Sequence, residues 1–275
     1  MLEIPEAIVL ADQINQTVIG KTITHTIAAA SPHKLAWFFE DPEHYPNLLN
    51  GKKLEHASAY GGRVEIEAQG AIIHIGDGVG LRYHAAGEKR PVKHQLLIEF
   101  DDKTAISAIV AMYGGIWCFP EGAFDNFYYQ VAKEKPPVLS DLFDVEYYLS
   151  LFNEATLKLS AKAFLATEQR IPGLGNGVVQ DILLNAKIHP KTKMNTLTDK
   201  QIETLFHSIK DTVKEMAADG GRDTERDFFG NPGGYMTKLS KNSLLLPCRN
   251  CGGHIKKETF LGGSIYYCQE CQKLS

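Results

Sequence analysis

Near the end of the chain, Cys248 and Cys251 are followed by Cys268 and Cys271, two Cys-x2-Cys pairs separated by sixteen residues. Four thiolates arriving from two tight turns match the tetrahedral, sulfur-rich coordination of zinc. All four positions are filled by protein, so a structural Zn2+ is expected. Cys118 stands far away in an apolar, strand-like run and reads as a core residue. The second group is Arg170-Ile171-Pro172-Gly173-Leu174-Gly175-Asn176-Gly177, which leads into the helical run Val178 to Asn185. Glycines let a backbone turn tightly and approach a ligand, and the free N–H groups of a new helix suit a phosphate. A plain helix–turn–helix connection would use the same pattern, and the residues alone leave both readings open.

Charge sharpens where such groups could act. The 275 residues carry a formal net charge of −4, which argues against a polycation that coats nucleic acid by charge alone. The balance is uneven: residues 1–140 hold 12 basic and 17 acidic side chains, residues 141–275 hold 17 and 16. Within the second half, residues 156–193 and 238–275 each carry six basic and two acidic side chains, and these windows contain the glycine turn and the cysteines. No run is long and apolar enough to span a membrane. The acidic start Met1-Leu2-Glu3-Ile4-Pro5-Glu6 is no secretory signal, so a cytoplasmic, nucleoid-associated protein is expected.

The elements that must position these groups follow from periodicity. Ile4, Ile8, Ala11 and Ile14 are spaced for a helix over Ile4–Gln16, with Pro5 in its first turn. Short strands are expected at Thr22–Ile27, Val64–Glu67, Ile72–Ile75, Leu96–Phe100 and Ile106–Val110, with turns at Gly61-Gly62, Asp77-Gly78 and Asp101-Asp102. Prolines at 120, 136 and 137 mark a linker. Beyond it, Ser160–Gln169 reads as a helix. Thr198–Met216 does so more clearly, with Thr198 and Gln201 at capping-box spacing. The expected fold class is α+β: an N-terminal helix and β-sandwich over 1–122, a linker over 123–140, a helical domain over 141–240 and a zinc finger over 241–275.

Four features in this order, the Met1–Glu6 start, Gly173-Leu174-Gly175-Asn176 with Ile188-His189-Pro190 after it, Gly233-Gly234-Tyr235, and the cysteine pairs, resemble the formamidopyrimidine-DNA glycosylase and endonuclease VIII family of base-excision repair enzymes. The resemblance covers nearly the whole chain. It implies a helix–two-turn–helix domain, a partner in damaged or abasic double-stranded DNA bound by a monomer, and glycosylase and lyase chemistry on a base flipped out of the duplex.

By the same resemblance Glu3 is the general acid, Glu6 is a structural glutamate, Asn176 and Lys162 lie at the DNA backbone, and Tyr235 and His94 are further DNA contacts. His74 corresponds to a family histidine on a strand and reads as structural. The chain departs from the pattern where the nucleophile belongs. The family's N-terminal proline is replaced by Leu2, which leaves the α-amine of Met1 as the candidate. The family's strand lysine aligns with Gly62, next to Arg63, and its zinc-finger arginine with Gly263. Asp77 and Met112 replace residues that fill the gap left by the flipped base, and Tyr113 remains as an aromatic wedge. The alternative is a catalytically inactive DNA-binding protein on the same scaffold.

Overall fold

The computed structural model describes residues 1–274. It begins with helix α1 (Ile4–Thr17), then β1 (Ile23–Ala28), the two-residue β2 (Ala36–Trp37) and the short α2 (Tyr45–Leu49). Strands β3 (His56–Tyr60), β4 (Arg63–Ala68), β5 (Ala71–His84), β6 (Leu96–Phe100) and β7 (Ala105–Pro120) complete the first half. Helices α3 (Phe127–Glu134), α4 (Val145–Ser150), α5 (Glu154–Leu157), α6 (Ala161–Ala166), α7 (Asn176–Asn185) and α8 (Asp199–Ala218) follow. The chain closes on the hairpin β8 (Ile255–Phe260) and β9 (Gly263–Cys268).

Seven strands form one sheet in the order β1-β6-β7-β5-β4-β3, with β2 paired in parallel to β7. The expected break at Asp77-Gly78 is instead an irregularity inside β5: the pairing with β7 shifts register between Asp77 and Val79 and then resumes to His84. Asp77 takes a positive φ of 62°, which a short polar side chain tolerates. Before this bulge β5 pairs with β4, and beyond it the β7 partner pairs with β6. The two halves therefore wrap one core that joins Val64, Ile66, Ile73 and Ile75 to Ile98, Ile106 and Val110.

The second core, built from α4, α6, α7 and α8, contains Tyr148, Phe164, Val179, Ile182, Leu205, Ile209 and Val213. The α8 stripe arises as the spacing predicts, and Thr198 Oγ1 accepts from the Gln201 N–H at 3.3 Å while Gln201 reaches back to the Thr198 N–H. Each fully buried aliphatic side chain in this stripe contributes about 1.5–3 kcal/mol. Helix α1 bridges the cores, giving Ile4 to the helical one and Ala7, Leu10, Ala11 and Ile14 to the sheet.

Two local expectations give way to packing. The proline-flanked linker contains α3, capped by Asn126 and pinned to the sheet where Tyr129 and Lys133 donate to the Glu65 carboxylate at 2.6 and 2.9 Å. The Ser160–Gln169 helix stops at Ala166 because Glu168 and Gln169 adopt φ of 57° and 50°, which ends a right-handed helix.

Candidate functional site

The N-terminal segment meets the glycine-rich turn in a network of charges. Glu3 is buried, and its carboxylate accepts the Gly177 and Val178 N–H groups at 3.0 and 2.8 Å. These are the first-turn donors of α7, so the anion favoured at this helix start is an internal one. Arg222 lies on the other side, with Nη1 3.3 Å from Glu3 Oε1. It also binds Glu6 through Nε at 2.9 Å, Nη2 at 2.6 Å and its own backbone N–H at 3.2 Å. Burial alone would depress the Arg222 pKa, but Glu3 and Glu6 outweigh it and drive the value up. Glycine is required here for space: a Cβ on Gly177 would strike the Arg222 guanidinium, and one on Gly175 would meet the Glu3 carboxylate carbon at 2.5 Å.

Met1 sits at the rim of this network. Its ammonium pairs with Glu225 at 2.5 Å, its sulfur lies 3.8 Å from the Tyr113 hydroxyl, and Leu2 N–H donates to the Asp77 carbonyl at 2.8 Å. An amine engaged as an ammonium has no lone pair free for attack, so nucleophilic use of Met1 requires release from Glu225. Gly62 is packed beneath: a Cβ there would approach Leu2 O at 2.9 Å and Glu3 Cα at 3.3 Å. Arg63 points along the same strand edge, 3.9 Å from Asp77 and over the Trp117 ring.

A second corner forms where α6, α7 and the β8–β9 hairpin converge. Lys162 is buried, and its Nζ donates to the Phe260 carbonyl at 2.8 Å. Burial lowers its pKa. Asn176 donates to the Ser264 carbonyl at 3.0 Å, while its Oδ1 is buried without a partner. Both side chains keep N–H groups beyond those used here. Gly263 faces them, and a Cβ on it would find Lys162 Nζ no nearer than 3.5 Å.

The other sequence-derived candidates lie elsewhere. Tyr235 is 2% exposed inside the helical core, and burial together with the charge of the neighbouring Asp181 raises its pKa. His94 is buried, with Nδ1 3.0 Å from the Pro91 carbonyl. His74 is fully buried beneath Trp117, Phe124 and Tyr129, and burial, aided by Arg63 and Lys133, drives its pKa well down. Its neutral imidazole packs as an aromatic ring. Cys118 is buried in the sheet core.

The sulfurs of Cys248, Cys251, Cys268 and Cys271 all lie within 4.8 Å of one another, with Cys248–Cys271 at 3.9 Å and Cys251–Cys268 at 3.5 Å. A tetrahedron with metal–sulfur bonds of about 2.3 Å has edges near ~3.8 Å. This cluster could hold a metal ion.

Arg222 belongs to no spaced motif, yet the structure buries it between two glutamates. The available signal was the pair of buried-type positions Glu3 and Glu6 with no named counter-charge. Glu225 and Trp37 were missed outright, since neither belongs to a spaced motif.

The sheet core, the bridging helix and the cysteine hairpin define a mixed helix-and-sheet protein. The family model "Formamidopyrimidine-DNA glycosylase H2TH domain" matches residues 135–227. A formamidopyrimidine-DNA glycosylase of Pelotomaculum thermopropionicum is 29% identical over 74% of this chain and 78% of its own length. One of Lactobacillus delbrueckii subsp. bulgaricus is 27% identical over 99% of this chain and 100% of its own. Among solved structures, the Lactococcus lactis Fpg in complex with abasic-site DNA superposes with a TM-score of 0.83 at 22% identity, covering 98% of this chain and 99% of that one. The chain is thus similar to formamidopyrimidine-DNA glycosylases along nearly its whole length and shares the fold of their solved structures.

Proposed function

We propose that this protein recognises a damaged or abasic nucleotide in double-stranded DNA as part of base-excision repair. The observation that carries this reading is the corner at Lys162 and Asn176. Two side chains with N–H groups to spare meet there, in the part of the chain where basic residues outnumber acidic ones. Phosphate oxygens are the acceptors such donors fit, and they fix a protein on the duplex without reading sequence. The four cysteines hold a structural zinc ion that stiffens the β8–β9 hairpin and so completes the corner. His94 and Tyr235, enclosed as they are, support the fold around this surface.

The test is a binding titration with duplexes that do or do not contain an abasic site, repeated over a range of salt. Tighter binding to the abasic duplex, weakening with salt, is expected; a log–log slope near zero would contradict phosphate recognition.

A second reading adds excision, with the Met1 amine attacking the sugar C1′ and Glu3 as the acid. It is favoured by the position of Met1 beside Tyr113 and the Glu3 network. Opposing it, Met1 is paired to Glu225, and both Glu3 oxygens are already engaged. The geometry thus supports recognition best. Borohydride trapping on abasic-site DNA decides: a covalent adduct establishes the amine route. Its absence, together with no base release from oxidised substrates, removes excision and leaves recognition standing.

A further inference from the structure

Of the two tryptophans, Trp117 is buried against Arg63 and His74, but Trp37 is 44% exposed. A large aromatic face left open to water, on a strand rather than a loose tail, has no packing role to explain it. The strand is β2, fixed by the pairs Ala36–Gly114 and Trp37–Gly115 against β7. The Trp37 ring lies 5.9 Å from that of Tyr113 at an interplanar angle of 49°, so the two touch without stacking on each other.

Tyr113 in turn connects this patch to the N-terminal network. Its hydroxyl reaches the Met1 sulfur, and its pKa is raised by burial and then by the charges of Asp77 and Glu3. The β5 bulge is responsible: Gly78 lies so close to the Tyr113 carbonyl that a Cβ would approach it to 2.5 Å. Leu35 and Met112 are exposed on the same two segments, and Lys34 precedes them as an exposed cation. The result is an exposed indole face tilted against Tyr113, with apolar neighbours and an exposed cation three residues earlier in the chain. A nucleobase is flat and stacks on aromatic rings whatever its sequence, while its attached phosphate seeks a cation.

We propose that Trp37, with Tyr113 as a second wall, seats an unpaired nucleobase of the bound DNA. This rests on the DNA recognition proposed above and assigns Trp37 a binding role of its own. Stacking of one base corresponds to about tenfold or more in affinity.

The test compares the full-length protein with Trp37→Ala and Trp37→Phe, using a fluorescein-labelled duplex with a tetrahydrofuran abasic site and its fully paired counterpart. Trp37→Ala is expected to weaken binding to the abasic duplex about tenfold and to leave the paired duplex unchanged, with Trp37→Phe close to the parent. In a Trp117→Phe background, Trp37 emission should be quenched by the abasic duplex alone. If that background does not fold, 19F spectra of the fluorotryptophan-labelled parent report the same contact through the Trp37 resonance. Parent-like affinity of Trp37→Ala for both duplexes, with no quenching or shift at Trp37, overturns the proposal and leaves DNA recognition intact. A parent protein that binds neither duplex overturns both.

Discussion

The N-terminal network and the hairpin corner are both built from buried polar side chains, yet they are finished differently. Around Glu3, Glu6 and Arg222 the carboxylates are matched by backbone N–H groups and guanidinium contacts. At Lys162 and Asn176 each side chain has one protein acceptor and donors left over. The two glycines aligned with family side chains follow the same division. Gly62 is walled in by Leu2 and Glu3, whereas Gly263 opens onto Lys162 and Asn176. A saturated network holds the protein together, while an unsaturated one awaits a ligand.

The strongest way to break this contrast is to strip the zinc ion proposed for the four cysteines. Apparent zinc binding in comparable small modules is roughly 10–16 kcal/mol, so a chelator should dissolve the hairpin and abolish DNA binding. The cores around α1 and α8 should stay folded, as followed by limited proteolysis and near-ultraviolet dichroism.

Arg222→Met attacks the other side. It strands two buried carboxylates, and a loss of about 3–5 kcal/mol in a denaturant titration is expected; a loss below roughly 1 kcal/mol would mean the network is not saturated in solution.

Next in size is a pH effect in the helical core. Burial pushes the Asp181 carboxyl up to about 6, against the Lys238 and Leu239 N–H groups that donate to it. The folded value lies above the unfolded one, so this contribution is complete below about pH 4 and is lost as pH rises through about 6. Stability measured from pH 4 to 7 should show a decline of roughly 2–3 kcal/mol from this group, absent in Asp181→Asn.

Two substitutions then separate the glycines. Gly62→Lys should cost about 1–3 kcal/mol of stability through its collision with the Leu2 carbonyl, while Gly263→Arg should fold normally and tighten DNA binding. Smallest is Asn176→Ala, about 1 kcal/mol of binding free energy on any duplex with unchanged thermal stability. If it melts lower instead, Asn176 belongs with the structural network.

Much of this was legible in the sequence because it depends on local spacing. The cysteine pairs, the Thr198 cap with its apolar stripe, and α1 were read within a residue or two of their observed places. The bulge at Asp77 was read as a turn because the signal for a positive φ is the same in both, and only the length of the β5–β7 pairing distinguishes them. Helix α3 was hidden because its stability comes from Glu65, more than sixty positions away in the chain. Burial of Arg222 was invisible for the same reason: Glu3 and Glu6 lie over 200 residues earlier. The glycine spacing left open whether the α7 start takes a phosphate or is a plain connection, and Glu3 is seen to occupy its first donors. Glu3→Gln should therefore lower stability as well as any chemistry.

The β3–β4 turn has a further consequence. A Cβ on Gly61 would meet the Pro172 carbonyl carbon at 2.9 Å and one on Gly173 the Gly62 nitrogen at 2.1 Å, and the Ile4 N–H is tied to the Gly173 carbonyl. Sheet and helices are keyed backbone to backbone at the point where a hinge would have to bend. Such a joint leaves little slack between the two cores. For the DNA recognition proposed above, this predicts that a duplex meets a surface already in place and that the work of deformation falls on the duplex.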